Sequence, residues 1–244
     1  MFKIINYDQF ILEKSTSDIS YNFNNKVNIG LIGGAESTKT LQSVLTELNS
    51  KKILVITTAT KYKKEAEEKY SNIFKGLGYY VDFIHASISS ELDTPENIDK
   101  LNIIDTIFFT GGDQSRISKC FLGTSFLNEM ISKKITLVGT SAGSMVLSHN
   151  MISGGVKEPI MSIGLSILPD VIIDTHYKER ERSTRLEVAV KLNGGIGCGI
   201  SEDSAIVIKD GNMVTFGDVD IKNNIWKWKS LVIFWMSQIQ IMKI

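Results

Sequence analysis

The sequence predicts an α/β fold, a doubly wound, mostly parallel sheet flanked by helices. Three observations carry this. Apolar runs alternate with segments of helical periodicity from residue 27 to residue 140. The runs are continuous rather than alternating with polar residues, as in strands covered on both faces. Three of them end in small or glycine-rich sequence, at Gly33-Gly34, at Gly111-Gly112 and from Gly139 to Gly143. In such sheets ligands bind at the carboxyl ends of the strands. No repeat, low-complexity tract or interdomain linker breaks the 244 residues. They read as one domain, with a core over about 27–220 and an atypical tail over 221–244.

In order, residues 1–25 are a polar, Asn- and Ser-rich lead-in with room for one short strand or helix. Val27 to Ile32 reads as a buried strand and Thr38 to Leu48 as a helix. Lys52 to Ile56 is a second strand. Residues 61–75 form a charged amphipathic helix with Ala66, Tyr70, Ile73 and Phe74 on one side, stopped by Gly76 and Gly78. Tyr79 to Ile84 is the third strand. Thr94 is placed to cap a short helix opened by Pro95. Thr106 to Phe109 is the fourth strand, followed by helices over about 115–121 and 124–132. The fifth strand runs to Ser141, and the helix after it is expected to carry His149. Residues 151–170 read as loop with a short strand, Asp170 to Asp174 as a strand, and Arg180 to Leu192 as a helix. Three short strands follow, at Ile196 to Ile200, Ala205 to Ile208 and Met213 to Phe216, the last two joined through Asp210-Gly211.

Composition excludes several classes. There are 27 basic and 27 acidic residues, so no basic excess marks a nucleic-acid partner. The first residues carry charges and no uninterrupted apolar segment, so neither a signal peptide nor a membrane span is expected, and the expected location is cytoplasmic. Cys120 and Cys198 stand apart among small or apolar residues and read as reduced, buried thiols. Three histidines and two cysteines without ligand spacing predict no metal site, and no cofactor is called for.

Gly139-Thr140-Ser141-Ala142-Gly143 directly follows an apolar, β-branched run. This is the pattern of a nucleophile elbow, in which a strand turns sharply into a helix and exposes the central serine. The Ala142 amide would point into the same space and stabilise an oxyanion. A serine nucleophile needs a base. His85 ends a strand before a Ser-rich loop. His149, eight residues beyond Ser141, would lie roughly 12 Å along the helix from it. That leaves His176, just past a strand end, as the candidate. Glu202, Glu158 and Asp174 compete to be the acid that orients it. Around His176 lies the densest charge cluster of the chain, Lys178 to Glu187. Arg180, Arg182 and Arg185 could form a carboxylate-binding surface; the plainer reading is a solvated helix start with pairs such as Glu181 with Arg185. Arginines at a helix start oppose its dipole and so need another reason to be there.

Five stretches, in order over about residues 27–220, resemble the peptidase family S51, which contains cyanophycinases and aspartyl dipeptidases. They are Gly33-Gly34-Ala35-Glu36, Phe109 to Gln114, Gly139 to Gly143, Asp174 to Leu186, and Gly199 to Ala205. The segment Asp174-Thr175-His176-Tyr177 with Arg180, Arg182, Arg185 and Leu186 is the most specific, and it resembles the cyanophycinases more than the dipeptidases. The resemblance implies a three-layer sandwich like those of flavodoxins and class I glutamine amidotransferases. It implies Ser141 as nucleophile, His176 as base and Glu202 as third member. It implies an oxyanion hole from the Gly112 and Ala142 amides, and a substrate pocket lined by Gln114, Asp174, Thr175, Arg180, Arg182 and Arg185. The implied enzyme is a serine-type exopeptidase, forming a homodimer. Its implied substrate is cyanophycin, poly-aspartate with arginine on each β-carboxyl, cut to β-Asp-Arg. On this reading Asp174 would take a guanidinium and the three arginines carboxylates.

The sequence also departs from the cyanophycinase pattern. Thr175 stands where glutamine is usual, Tyr177 where phenylalanine is, and Glu181 where glycine is. Thr175 shortens one substrate contact. Residues 221–244 do not resemble the family's final strand and helix. The alternative is an aspartyl dipeptidase acting on short Asp-X peptides. An esterase is disfavoured because His176 follows Ser141 too closely for an α/β-hydrolase. A silent binding module is disfavoured by the intact Ser141 and His176.

Overall fold

The structure is a computed structural model and describes residues 4–6 and 27–223. The first half of the chain runs β1 (Ile4–Asn6), β2 (Ile29–Ile32), α1 (Thr38–Glu47), β3 (Lys52–Ile56), α2 (Lys63–Gly76), β4 (Tyr80–Ile84), α3 (Ser89–Leu92), α4 (Pro95–Lys100), β5 (Thr106–Phe109), α5 (Gln114–Phe121), α6 (Ser125–Ser132) and β6 (Thr136–Thr140). It continues with α7 (Ala142–Met145), β7 (Asn150–Gly154), β8 (Ile160–Ile163), β9 (Val171–Thr175), α8 (Ser183–Asn193), β10 (Ile196–Ile200), β11 (Ala205–Lys209), β12 (Asn212–Phe216) and β13 (Val219–Asn223).

Eight strands form a mixed, mostly parallel sheet in the order β1-β12-β11-β2-β6-β5-β3-β4. The five strands from β2 to β4 in that order are mutually parallel, while β11, β12 and β1 continue it antiparallel. The two-residue period of a strand sorts the apolar side chains onto two faces. Ile32, Ile53, Val55, Phe108 and Val138 pack with Leu41, Val44 and Leu45 of α1 and with Tyr70 and Phe74 of α2. Ile29, Leu31, Leu54, Ile56, Ile107, Phe109 and Leu137 face the other way, onto Ile117, Phe121, Phe126 and Met130 of α5 and α6. The chain moves outward from β2 to β4 and returns through β5 and β6. The outward helices therefore cover one face and the returning ones the other, as a doubly wound sheet requires. The expected cap forms: Thr94 Oγ1 accepts from the Asn97 amide.

Two regions differ from the sequence reading. The helix after Ser141 spans only Ala142–Met145, and His149 lies beyond it, next to β7. Leu165, Ser166 and Leu168 donate backbone hydrogen bonds to the carbonyls of Val146, Ser148 and Leu147, pairing that stretch with residues 165–168 instead of leaving it to coil. Residues 151–170 are expected as loop with a short strand; residues 150–163 form an antiparallel β7–β8 ribbon. In addition, β9 and β10 leave the main sheet. They pair in parallel with each other, and β13 pairs antiparallel with β10, in a small second sheet. Residues 221–223, assigned to the tail, thus belong to β13; residues 224–244 lie outside the described residues.

Candidate active site

The turn from β6 into α7 is built by close backbone approach. A Cβ at Gly139 would collide with the Gly143 carbonyl, and one at Gly143 with the Phe109 carbonyl. Both elbow glycines are therefore required by space. Ser141 between them has φ 53° and ψ −115°, a strained combination for a residue with a side chain. Its amide donates to the Ile32 carbonyl at 2.9 Å, which ties the elbow to β2.

The partners of Ser141 come from the second sheet. Thr175 of β9 lies beside Ile200 of β10, so His176 and Glu202, just past these strand ends, emerge next to each other. Ser141 Oγ lies 2.8 Å from His176 Nε2, and His176 Nδ1 lies 2.6 Å from Glu202 Oε1. The His176 backbone, at φ 48°, is pinned by a bond from its amide to the Gly33 carbonyl at 2.9 Å. Gly34, at φ +104°, passes so close to the imidazole that a Cβ there would strike the ring. Tyr177, buried under the same turn, donates from its hydroxyl to Asp220 Oδ2 of β13 at 2.8 Å.

Of the three competing carboxylates, Glu202 meets His176. Glu158 is exposed beyond β7, and Asp174 points into the protein. The other histidines are engaged elsewhere, His85 with Thr57 and Glu67, and His149 with Ser166. The amides of Gly112 and Ala142 make no hydrogen bond among the described residues. Gly111 and Gly112 line the same cavity as Ser141, and the Ala142 amide directly follows it.

That cavity, of about 520 Å³, opens over Ser141 and His176. Besides Ser141 and His176 it is lined by Arg180 and by Tyr62, Glu65 and Lys69 from α2 and the residue before it. Five of the six residues expected to line a substrate pocket are not part of its wall. Asp174 is fully buried and grips Arg185 through two hydrogen bonds, Nε to Oδ2 at 2.8 Å and Nη2 to Oδ1 at 2.5 Å. Arg182 Nη1 donates to Asp174 Oδ1 at 3.2 Å and to the Thr175 carbonyl at 2.6 Å. Arg185 also holds the Gly155 carbonyl at 2.6 Å. Thr175 is buried with its hydroxyl on the Met145 sulfur, and Gln114 donates to the Ile152 carbonyl. Only Arg180 faces the cavity. The arginines at the start of α8 thus have the further reason that the dipole argument demanded: two of them neutralise a buried aspartate. Burial pushes the Asp174 carboxyl above the usual aspartate range, against the pull of both guanidiniums.

Glu36 is the residue that the sequence reading passed over. Its carboxylate reaches the cavity wall, accepting from Thr140 Oγ1 at 2.6 Å and from Lys69 Nζ and the Tyr70 hydroxyl at 2.9 Å each. The available signal was its place, a charged residue just after the Gly33-Gly34 strand end. Among the described residues no His, Cys, Asp or Glu side chains are grouped to hold a metal ion, and no helix is long and apolar enough to cross a membrane.

Residues 30–216 match the model of peptidase family S51. The chain belongs to this family. A cyanophycinase of Synechococcus elongatus is 33% identical over 206 residues, 76% of this chain and 64% of that protein. A cyanophycinase of Trichormus variabilis is 30% identical over 213 residues, covering 79% of this chain and 71% of that one. The chain thus spans slightly less than two thirds of the length of the Synechococcus relative. A crystal structure of a peptidase from an acI-B1 Actinobacterium overlays with a TM-score of 0.67 at 23% identity, over 82% of this chain and 91% of that one, a likeness of fold. The match runs from within β2 to the end of β12 and therefore includes Ser141, His176 and Glu202.

Proposed function

We propose that this chain is a serine-type peptidase that hydrolyses cyanophycin to β-Asp-Arg dipeptides. One observation carries the reading: the unbroken line Ser141–His176–Glu202 at a strained elbow that opens into a cavity. Glu202 accepts from His176 Nδ1–H and so leaves Nε2 free to take a proton. As Ser141 Oγ attacks the scissile carbonyl carbon, its proton passes to Nε2. The oxyanion accepts from the Gly112 and Ala142 amides. The tetrahedral species collapses, Nε2 gives its proton to the leaving nitrogen, and the Ser141 ester remains. Water then repeats the sequence, with His176 taking its proton, and the acid product leaves.

The substrate class is supported by the cyanophycinase relatives and by a cavity wall bearing both cations and a carboxylate, Arg180, Lys69 and Glu65. The loss of Thr175, Asp174, Arg182 and Arg185 from that wall keeps a second reading open, an aspartyl dipeptidase acting on short Asp-X peptides. Purified protein is incubated with cyanophycin and separately with Asp-X dipeptides, and products are followed by chromatography. Release of β-Asp-Arg that disappears in Ser141→Ala is the expected result. Cleavage of Asp-X dipeptides alone selects the second reading.

A further inference from the structure

The proton relay makes no use of Glu36, yet this carboxylate is the most heavily engaged group of the cavity wall. Its side chain is 3% exposed. Burial pushes its pKa up, but the Thr140 hydroxyl and the Lys69 ammonium outweigh that and hold it below the usual glutamate value. Thr140 is the residue before the nucleophile. A chain of contacts thus runs from the elbow through Glu36 to Lys69, whose side chain is half exposed and lines the cavity. The ammonium also stands 4.7 Å from the centre of the Tyr70 ring. Holding Lys69 in one position costs it rotamer entropy, which the Glu36 contact offsets.

The placement has a consequence for Glu65. Glu65 and Lys69 are four apart on α2, glutamate first, the favoured order for a helical ion pair. That pair does not form among the described residues, because Lys69 turns to Glu36. Among the described residues Glu65 therefore keeps an unpaired carboxylate on the cavity wall, which the exposed Tyr62 also lines. A carboxylate next to an aromatic face suits a guanidinium, which pairs in its plane and stacks on a ring. Asp174, sealed by Arg182 and Arg185, has no capacity left for that task.

We propose that the α2 wall reads the substrate's charged side chain: Glu65 and Tyr62 bind its guanidinium, and Lys69, positioned by Glu36, binds a carboxylate. This rests on the substrate class proposed above.

The test is binding without turnover, by calorimetry in a Ser141→Ala background. Three probes are used: β-Asp-Arg, β-Asp-citrulline (neutral urea for guanidinium), and the bis-carboxamide of β-Asp-Arg. Glu65→Gln is expected to weaken β-Asp-Arg about tenfold and leave β-Asp-citrulline unchanged. Lys69→Met is expected to weaken both free acids about tenfold and spare the bis-carboxamide, with Lys69→Arg retaining most of the affinity. Glu36→Gln releases Lys69 to Glu65, so it should weaken β-Asp-Arg as both variants do while leaving the melting temperature within a few degrees. Equal losses on all three probes, no loss, or no binding of β-Asp-Arg by the Ser141→Ala protein overturns the proposal. Failure to cleave cyanophycin together with selective losses in binding removes the proposed activity and leaves the subsite standing. Cleavage with unselective losses does the reverse.

Discussion

Two charged constellations leave the end of β9 two residues apart. His176 turns out to Ser141 and Glu202; Asp174 turns in to Arg182 and Arg185. Each has a carboxylate holding a cationic or ionisable partner, and in sequence Asp174 and His176 stand together before one charged cluster. Exposure divides them. Glu202 retains 38% side-chain exposure and His176 13%, at the edge of a cavity, while Asp174 and Arg185 are sealed. The outer set is reachable from the cavity, through Ser141 and His176. The inner set can only cancel a buried charge and lock the start of α8 to β9 and to the Gly155 carbonyl beyond β7. The end of the strand assigns the two fates: alternation would put residues two apart on one face, and these diverge because β9 stops at Thr175 and His176 takes a positive φ.

The largest effects should follow from the outer set. Ser141→Ala is expected to lower kcat by about 10⁶-fold, since removing the nucleophile leaves only binding and the oxyanion contribution. Urea denaturation should show unchanged stability, because alanine keeps the Cβ that strains the backbone at φ 53°. Glu202→Gln keeps the shape but offers no charge to the imidazolium, and should cost about 10⁴-fold in kcat/KM. A loss under tenfold would place the orienting acid elsewhere and dissolve the distinction between the two sets.

The inner set should answer in stability. Asp174→Ala leaves two guanidiniums, one of them fully buried, without their counter-charge and is expected to cost about 3–5 kcal/mol in urea melts. Arg185→Met should cost less than Asp174→Ala, because Arg182 still faces the aspartate. Activity per folded molecule should fall far less than in Glu202→Gln. Unchanged stability with a raised KM would return Asp174 to the substrate.

How much of this was legible in the sequence depends on whether the information was local. The elbow was legible because Gly139, Ser141 and Gly143 satisfy a steric requirement within five residues. The strands β3, β5 and β10 were legible from their apolar runs. Glu202 was not separable from Glu158 by position, because its place beside His176 is set by the β9–β10 pairing across α8. The arginines misled because their spacing says nothing of burial. The missed signal was Asp174 itself, a lone charge closing the apolar run Val171 to Ile173, which needs buried cations nearby. The end of the helix before His149 was not legible either, because it is set by backbone bonds from residues 165–168 to the carbonyls of residues 146–148.

A smaller effect tests the outer set's support. Gly34→Ala puts a methyl into the space of the His176 ring and demands φ near +104° of alanine. The imidazole must shift, and a displacement of about 1 Å can cost on the order of 10²-fold in rate. The result should be a fall in kcat with KM nearly unchanged. Intact kcat would mean that the ring position is set by Glu202 alone.

The smallest expected effect is none, and it bears on the identity of the nucleophile. Cys198 lies in β10, whose end leads to Glu202, and Cys120 lies in α5; both are free and buried. Burial pushes the Cys198 thiol up to about 12 and Cys120 to about 11. Burial disfavours the anion, so the thiolate fraction grows only as pH rises toward those values. At pH 8 it is about 10⁻³ for a group titrating three units higher and about 10⁻⁴ for four. Since the thiolate is the attacking form, iodoacetamide at pH 8 should leave activity intact and alkylate neither cysteine in the folded protein. A serine-directed fluorophosphonate should abolish activity and label Ser141. In urea both thiols should become reactive along the unfolding curve. Inactivation by iodoacetamide before unfolding would mean that β10 opens locally, and the support of Glu202 would then be the mobile part of the outer set.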